Sequence, residues 1–584
     1  MSTSRVVSKR LQRVNYLSIL LVLDIVLSAC EPVVKAATIM PTQELPITVT
    51  VTSKSGKEIP TAIARILGTT NVTALQNHKL ELPYCSSGNY ISVWAPGHYI
   101  KTVPCVDSQY TYELMLTPVD VNDNVDYAWM SAQTCAGCHS ELQGRSELAE
   151  WSRDKHSRVF IDPYFWTVYL GMDKNGQPGT NTSWTVDGNG RVSRAPNDSI
   201  FNPGFRLDYP SENGNCIYCH APAVAKAIEQ GLDLKTWNST VPGSHMNVET
   251  EGITCDVCHK VTDVLVDENK LPFPERPGIR SFLYLRPGWN QIFHIGPLPD
   301  YKPQTAEDMA NETKAACSQV FSESKFCAAC HYGKFFNTVI YNSYGEWLNS
   351  AYSNRETSNY RSCQDCHMRS AQEVGNSSPQ ERAACSEANQ SFHDFNHNMM
   401  QRDNNGNPGL IRNAARIGLT ARIENGRINV VVSVESVGVG HKFPTDSPLR
   451  HLILVVEAKD QNGTTLAQIN GSMIRPWGGV GNTTEDYAGR PGEIYANILK
   501  DKDTSVSPSV AYWNPTVPAW SESDTRLKPG VPAESQYSFA VPSNGKATIT
   551  ARLIYRYAFI EIIRQKNWLP NDFDVTDPVS VQVP

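Results

Sequence analysis

Ten of the fifteen cysteines in this 584-residue chain fall into five copies of one spacing, Cys-x-x-Cys followed at once by His. The copies are Cys135-Cys138-His139, Cys216-Cys219-His220, Cys255-Cys258-His259, Cys327-Cys330-His331 and Cys363-Cys366-His367. Two thiols separated by two residues reach both vinyl groups on one edge of a porphyrin and form thioethers, and the adjacent imidazole then ligates iron from the proximal side. Chance would supply about 0.01 such motifs in a chain of this length and composition. Paired Cys-x-x-Cys units also build four-thiolate zinc ribbons, but zinc has no need of a histidine after every second cysteine. An exported chain is also a poor place for five free dithiols. The motifs therefore read as attachment sites for five covalently bound c-type haems.

The sixth iron ligand decides between electron transfer and catalysis, so histidine supply matters. Fourteen histidines less the five proximal ones leave nine. His78 and His98 lie in a strand-rich N-terminal region away from any motif and read as surface residues. His156, His245, His294, His393 and His441 are the expected distal ligands. His393 is preferred over His397, four residues on, although the two can share one face of a helix. His451 opens an apolar strand, Leu452-Ile453-Leu454-Val455-Val456, and reads as structural. Five distal histidines would give every iron two imidazoles, the low-spin arrangement that leaves no open coordination site. Met172 or Met246 could replace a histidine and raise a potential.

Five cysteines remain. Cys85 with Cys105 and Cys317 with Cys385 form the simplest of three pairings for two disulfides, with buried free thiols as the alternative. Cys30 belongs to the leader. Arg5, Lys9, Arg10 and Arg13 precede a mostly apolar run, Tyr16 to Ala29, as in a secretory signal over residues 1–29. Leu27-Ser28-Ala29-Cys30 resembles a lipobox, which would tether the mature chain to a membrane through a lipid on Cys30. Ordinary cleavage and an uncleaved anchor helix remain open, since Asp24 interrupts the apolar run.

The elements that must hold the motifs follow from patterning. After a linker over 30–45, residues 46–119 alternate apolar and polar, as in Ile47-Thr48-Val49-Thr50-Val51, and predict a β-sandwich. Residues 120–408 contain all five motifs with little sustained periodicity, which predicts a haem-packed, mostly irregular and α domain with short helices around each motif. Residues 409–584 return to strands and predict a second β-sandwich. The fold class is thus multidomain, with a sandwich on either side of a pentahaem region. A net charge of -7 argues against a nucleic-acid partner.

Two resemblances extend this reading. Tyr90 to Pro118, with Gly97-His98-Tyr99, resembles the carboxypeptidase-regulatory-like sandwich, a module that commonly acts as a spacer. Glu150-Trp151 with His156, Gly252 to Lys260, Tyr344-Gly345-Glu346-Trp347, Cys363 to Met368 and Gly440-His441-Lys442-Phe443-Pro444 resemble multihaem cytochromes related to the tetrahaem cytochrome of nitrifying bacteria. This likeness spans roughly residues 130 to 460. It implies closely stacked haems with mainly bis-histidine ligation, and it supports His156 and His441 as distal ligands. Five motifs and two flanking β regions depart from the four-haem pattern.

The expected function is electron transfer through five bis-histidine haems, at the cell surface or in the periplasm. The partners would be other cytochromes or an extracellular electron acceptor. Two alternatives stay open. One is an oxidoreductase acting on a small nitrogen or sulfur compound at an open haem. The other is self-assembly into a haem filament, with His78 or His98 ligating a neighbour's iron.

Overall fold

The computed structural model describes residues 45–67, 69, 73–76, 79–140, 147–179, 184–186, 192–194, 203–230, 251–288, 293–296, 314–335, 338–368, 393, 409–412, 414–481, 485–501, 513, 515–516, 524–543, 545–570 and 572–584. The leader and Cys30, together with His78, His245, Cys385 and His397, lie outside the described residues. Among the described residues no helix is long and apolar enough to cross a membrane.

Alternation in Ile47–Ser53 buries Ile47, Val49 and Val51 on one face, as a strand with a period of two must. This strand sits between Lys79–Leu82, antiparallel, and Thr111–Leu116, parallel. A second sheet orders Thr73–Ala74, Ile63–Ile66, Tyr90–Trp94 and Lys101–Pro104. Leu80, Leu82, Ile91, Val93, Leu114 and Leu116 close the core between the two sheets, and a Cys85–Cys105 disulfide ties their ends. The sandwich also packs on the region that follows. The Ile100 amide donates to the Ala315 carbonyl at 2.8 Å, and Tyr99 meets Phe293 edge-to-face.

The central region is built of short helices at the motifs: Ala132–His139, Ile217–His220, Cys255–Cys258, Lys325–His331 and Cys363–His367. Small two-stranded sheets, which patterning alone did not suggest, brace them. One pairs Val261–Val264 with Phe282–Tyr284. Another pairs Phe293–Gly296 in parallel with Lys314–Cys317.

The C-terminal strands form two sheets around one apolar core. One orders Ala415–Glu424, Arg427–Ser436, Ala533–Ala540 and Gln468–Asn470. The other orders Gly492–Ala496, His451–Asp460, Ala547–Arg556 and Asp572–Asp574, with Val579–Val583 also on Ala547–Arg556. Asn425-Gly426 joins the first two strands as a two-residue hairpin, both residues at positive φ as a type I′ turn requires. His451 is fully buried, stacked on Phe559, with its ring nitrogens 3.1 Å from the Leu449 and Gly478 carbonyls, a packing role.

Candidate functional site

A continuous cavity of about 1950 Å³ runs between the central region and the C-terminal β region. Residues of all five motifs line it, including His139, His220, His259, His331 and His367. His156, His294, His393 and His441 line it too. His98 and His451 do not.

Three pairs of these histidines face each other at one spacing. His331 and His156 have ring centres 6.3 Å apart, as do His259 and His393 and His367 and His441. Two imidazoles bound through one nitrogen each on opposite sides of a common ion at about 2.0 Å, each nitrogen about 1.1 Å from its ring centre, place the centres about 6.2 Å apart. The spacing therefore leaves room for one iron per pair. The planes cross at 73°, 31° and 14° respectively.

One nitrogen of several rings is already engaged, which leaves the other to a metal. His259 Nδ1 lies 2.8 Å from the Ile295 carbonyl and His441 Nδ1 lies 2.9 Å from the Lys442 carbonyl. His331 Nδ1 lies 3.0 Å from Asp446 Oδ2, and His156 Nδ1 lies 2.7 Å from Asp154 Oδ1. Burial pushes His220, His259 and His367 down to about 4, and His294 to about 3, so these imidazoles keep a lone pair for a metal. Burial alone would also lower His331, but Asp446 outweighs it and raises that group to about 9.

Burial pushes the Cys216 and Cys258 thiols up to about 12 and the Cys366 thiol up to about 11, whereas hydrogen bonds with Cys255 and Cys327 lower Cys135 and Cys363. Among the described residues no group of three or more His, Cys, Asp or Glu is arranged to hold an ion. The thiols, standing in here for thioether sulfurs, also show which motifs are neighbours. As free thiols, Cys135 hydrogen-bonds with Cys255, Cys327 with Cys363 and Cys330 with Cys219, and Cys258 lies within electrostatic reach of Cys330. The spatial order is therefore first motif, third, fourth, with the second and fifth both against the fourth.

One local arrangement positions His156, and it recurs at Tyr352. In the first copy the helix Glu147–Arg153 ends at Asp154, which caps the short 3-10 turn Lys155–Arg158 by accepting from the His156 amide. Trp151 Nε1 donates to the Ile253 carbonyl at 2.8 Å, and the Ile253 amide donates back to the His156 carbonyl at 2.8 Å. Thr254 then caps the third motif's helix. In the second copy the helix Ser343–Leu348 leads to Ser350, which caps Ala351–Ser353 by accepting from the Tyr352 amide. Trp347 Nε1 donates to the Arg361 carbonyl at 2.8 Å, the Arg361 amide donates to the Tyr352 carbonyl at 3.0 Å, and Ser362 caps the fifth motif's helix. Tyr352 thus occupies the place that His156 holds in the first copy. Gly252 is required in the first copy because a Cβ there would come within 2.3 Å of the His156 carbonyl oxygen.

The buried glutamate beside each tryptophan grips a distal segment. Glu150 Oε2 accepts from the His393 amide at 2.9 Å. Glu346 Oε2 accepts from the Lys442 amide at 3.0 Å and from Thr445 Oγ1 at 2.9 Å, fixing the loop that carries His441. Sequence reading noted these two glutamates only as part of a resemblance and gave them no role, and it did not find Asp154, Asp446 or the duplication. The visible signal was Glu-Trp occurring twice, each time with a candidate ligand or its substitute five residues after the tryptophan.

The remaining expected residues divide as follows. His294 lies within electrostatic reach of His139, and its Nδ1 is 3.3 Å from Lys260 Nζ, a lysine buried in an ion pair with Asp256. His220 stacks on Phe165 with centroids 3.9 Å apart, and His245 falls outside the described residues. The Cys138 side chain is likewise undescribed. Cys317 is disulfide-bonded, while Cys385, its expected partner, is outside the described residues.

No family model matches this chain, and no curated protein matches it. Among solved structures it is similar to a penta-haem cytochrome c552 from Thermochromatium tepidum, at 18% sequence identity and a TM-score of 0.47, over 77% of this chain and 99% of that one.

Proposed function

We propose that this chain is an exported multihaem c-type cytochrome that moves electrons through five covalently attached haems. The observation that carries this reading is the three histidine pairs, each placing its second imidazole where a sixth iron ligand belongs. Haem iron supplies a one-electron couple, and ligation from both sides favours outer-sphere transfer. The ten motif cysteines, Cys135 through Cys366, attach the porphyrins, and His139, His220, His259, His331 and His367 are the proximal ligands. His156 serves the fourth site, His393 the third and His441 the fifth. His294 is assigned to the first site and His245, by elimination, to the second. Neighbouring sulfurs support a path from the first site through the third to the fourth, where it divides toward the second and fifth.

The finer reading is a chain held at the membrane by a lipid on Cys30, facing the periplasm or cell exterior and exchanging electrons with other cytochromes or an extracellular acceptor. Intact mass after expression with a cytochrome maturation system tests the cofactor count. Five haem masses are expected, and fewer would overturn the reading.

A further inference from the structure

One of the three paired sites differs from the others in what stands behind its ligands. His156 Nδ1 is 2.7 Å from Asp154, whose side chain is fully buried, and His331 Nδ1 is 3.0 Å from Asp446, whose side chain is 19% exposed. Both imidazoles of the fourth site therefore donate to carboxylates. At the third site His259 donates to a backbone carbonyl, and Glu150 stands 3.9 Å from His393 Nδ1, beyond hydrogen-bond length. At the fifth site His441 donates to a backbone carbonyl.

A carboxylate acceptor draws the Nδ1 proton toward itself and makes the opposite nitrogen a stronger donor to the metal. A more basic ligand pair, with negative charge held nearby in a buried setting, stabilises the ferric state over the ferrous and lowers the potential. Neutral carbonyl acceptors do this less.

Resting on the haem reading above, we propose that Asp154 and Asp446 give the iron between His156 and His331 the most negative potential of the three paired sites. The site where the path divides is then the last of the three to be reduced. Among these three, electrons rest on the third and fifth sites and cross the fourth as a step uphill. Asp154 and Asp446 act through the ligands as positioning residues, since neither reaches the iron position.

The ring planes identify this site spectroscopically. Imidazoles crossed at 73° leave the iron orbitals near degeneracy and give a highly anisotropic ferric resonance, whereas the 14° pair gives a rhombic one. The experiment is a potentiometric titration of the holoprotein followed by electron paramagnetic resonance, for wild type and Asp154→Asn. Asparagine keeps an oxygen to accept from the His156 amide and ring but removes the charge. In wild type the anisotropic signal should be the last of the three paired-site signals to vanish as the potential falls. In Asp154→Asn its ferric-to-ferrous ratio at fixed potential should fall at least tenfold, equivalent to 59 mV for a one-electron couple, with the signal still low-spin and five haems still attached. An anisotropic signal that vanishes first in wild type, or that shifts less than tenfold in the variant, overturns the proposal. If Asp154→Asn does not mature, Asp446→Asn is judged by the same criterion. Asp446 sits at positive φ, where asparagine is well tolerated, and it also reaches His367, so a smaller shift of the rhombic signal accompanies it. Loss of haem mass would instead contradict the underlying reading, which separates the two failures.

Discussion

Replacing Glu346 should loosen His441 without changing any of the residues that would attach or ligate the fifth haem, Cys363, Cys366, His367 and His441. Glu346 is buried, and its Oε2 accepts from the Lys442 amide and the Thr445 hydroxyl. Its Oε1 stands 2.9 Å from an Arg526 guanidinium nitrogen, in ion-pair contact but poorly aligned for a hydrogen bond. Hydrogen bonds to a charged group contribute about 1.5 to 3 kcal/mol each, and removing one partner of a buried ion pair costs about 3 to 5 kcal/mol. Asp524 still holds Arg526 at 2.8 and 2.9 Å, so the ion-pair loss falls below that range. A loss of at least about 3 kcal/mol in the grip on the His441 loop follows for Glu346→Ala, from two such bonds at the low end of the range. That is more than a hundredfold in the loop's docking equilibrium, at about 1.4 kcal/mol per factor of ten. Carbon monoxide difference spectra of the reduced protein read the result: Glu346→Ala should bind carbon monoxide at one haem that wild type keeps closed, with haem mass unchanged. Glu346→Gln, which keeps an acceptor oxygen, should show a smaller fraction. A Glu346→Ala protein with wild-type spectra and wild-type thermal stability would refute the reasoning.

Three further outcomes are expected. Lys566 is fully buried and donates to the Thr167, Met172 and Pro203 carbonyls, so Lys566→Met should orphan these acceptors and cost about 3 kcal/mol or more in denaturant unfolding. Burial opposes the charge on Asp524, but Arg526 and Lys442 outweigh it and hold the group at about 2. This stability, about 2 kcal/mol, is fully present above the unfolded value near 4 and is lost as pH falls through about 2, so Asp524→Asn should flatten the acid limb of stability against pH. Cys30→Ser should release the protein from washed membranes without changing its haem spectrum, and retention would point to Tyr16–Ala29 as an anchor.

The five Cys-x-x-Cys-His motifs were legible because one fixed spacing repeats five times. Which distal histidine faces which motif was not legible. His156 lies soon after the first motif yet meets His331 of the fourth, and His441 comes from the C-terminal β region to meet His367. Such pairings depend on tertiary contacts that no local pattern records. The duplicated helix, cap and tryptophan anchor were hidden because the first copy contains a long insertion bearing the second motif, and because Tyr352 stands where its counterpart is His156. The carboxylates behind the ligands escaped notice because Asp154 reads locally as a helix cap and Asp446 lies in a turn far along the chain.

The central claim is that irons sit between paired imidazoles, and the most direct test compares wild type with His441→Ala. Electron paramagnetic resonance of the oxidised proteins, with carbon monoxide spectra of the reduced ones, gives the spin state and openness of each haem. Low-spin resonances including one anisotropic and one rhombic type are predicted for wild type, with no stoichiometric carbon monoxide binding. His441→Ala should lose the rhombic resonance of the fifth site, leaving that of the third, and open one iron while keeping five haems. A wild-type protein with a stoichiometric high-spin, carbon-monoxide-binding haem would contradict the account and favour catalysis at an open iron.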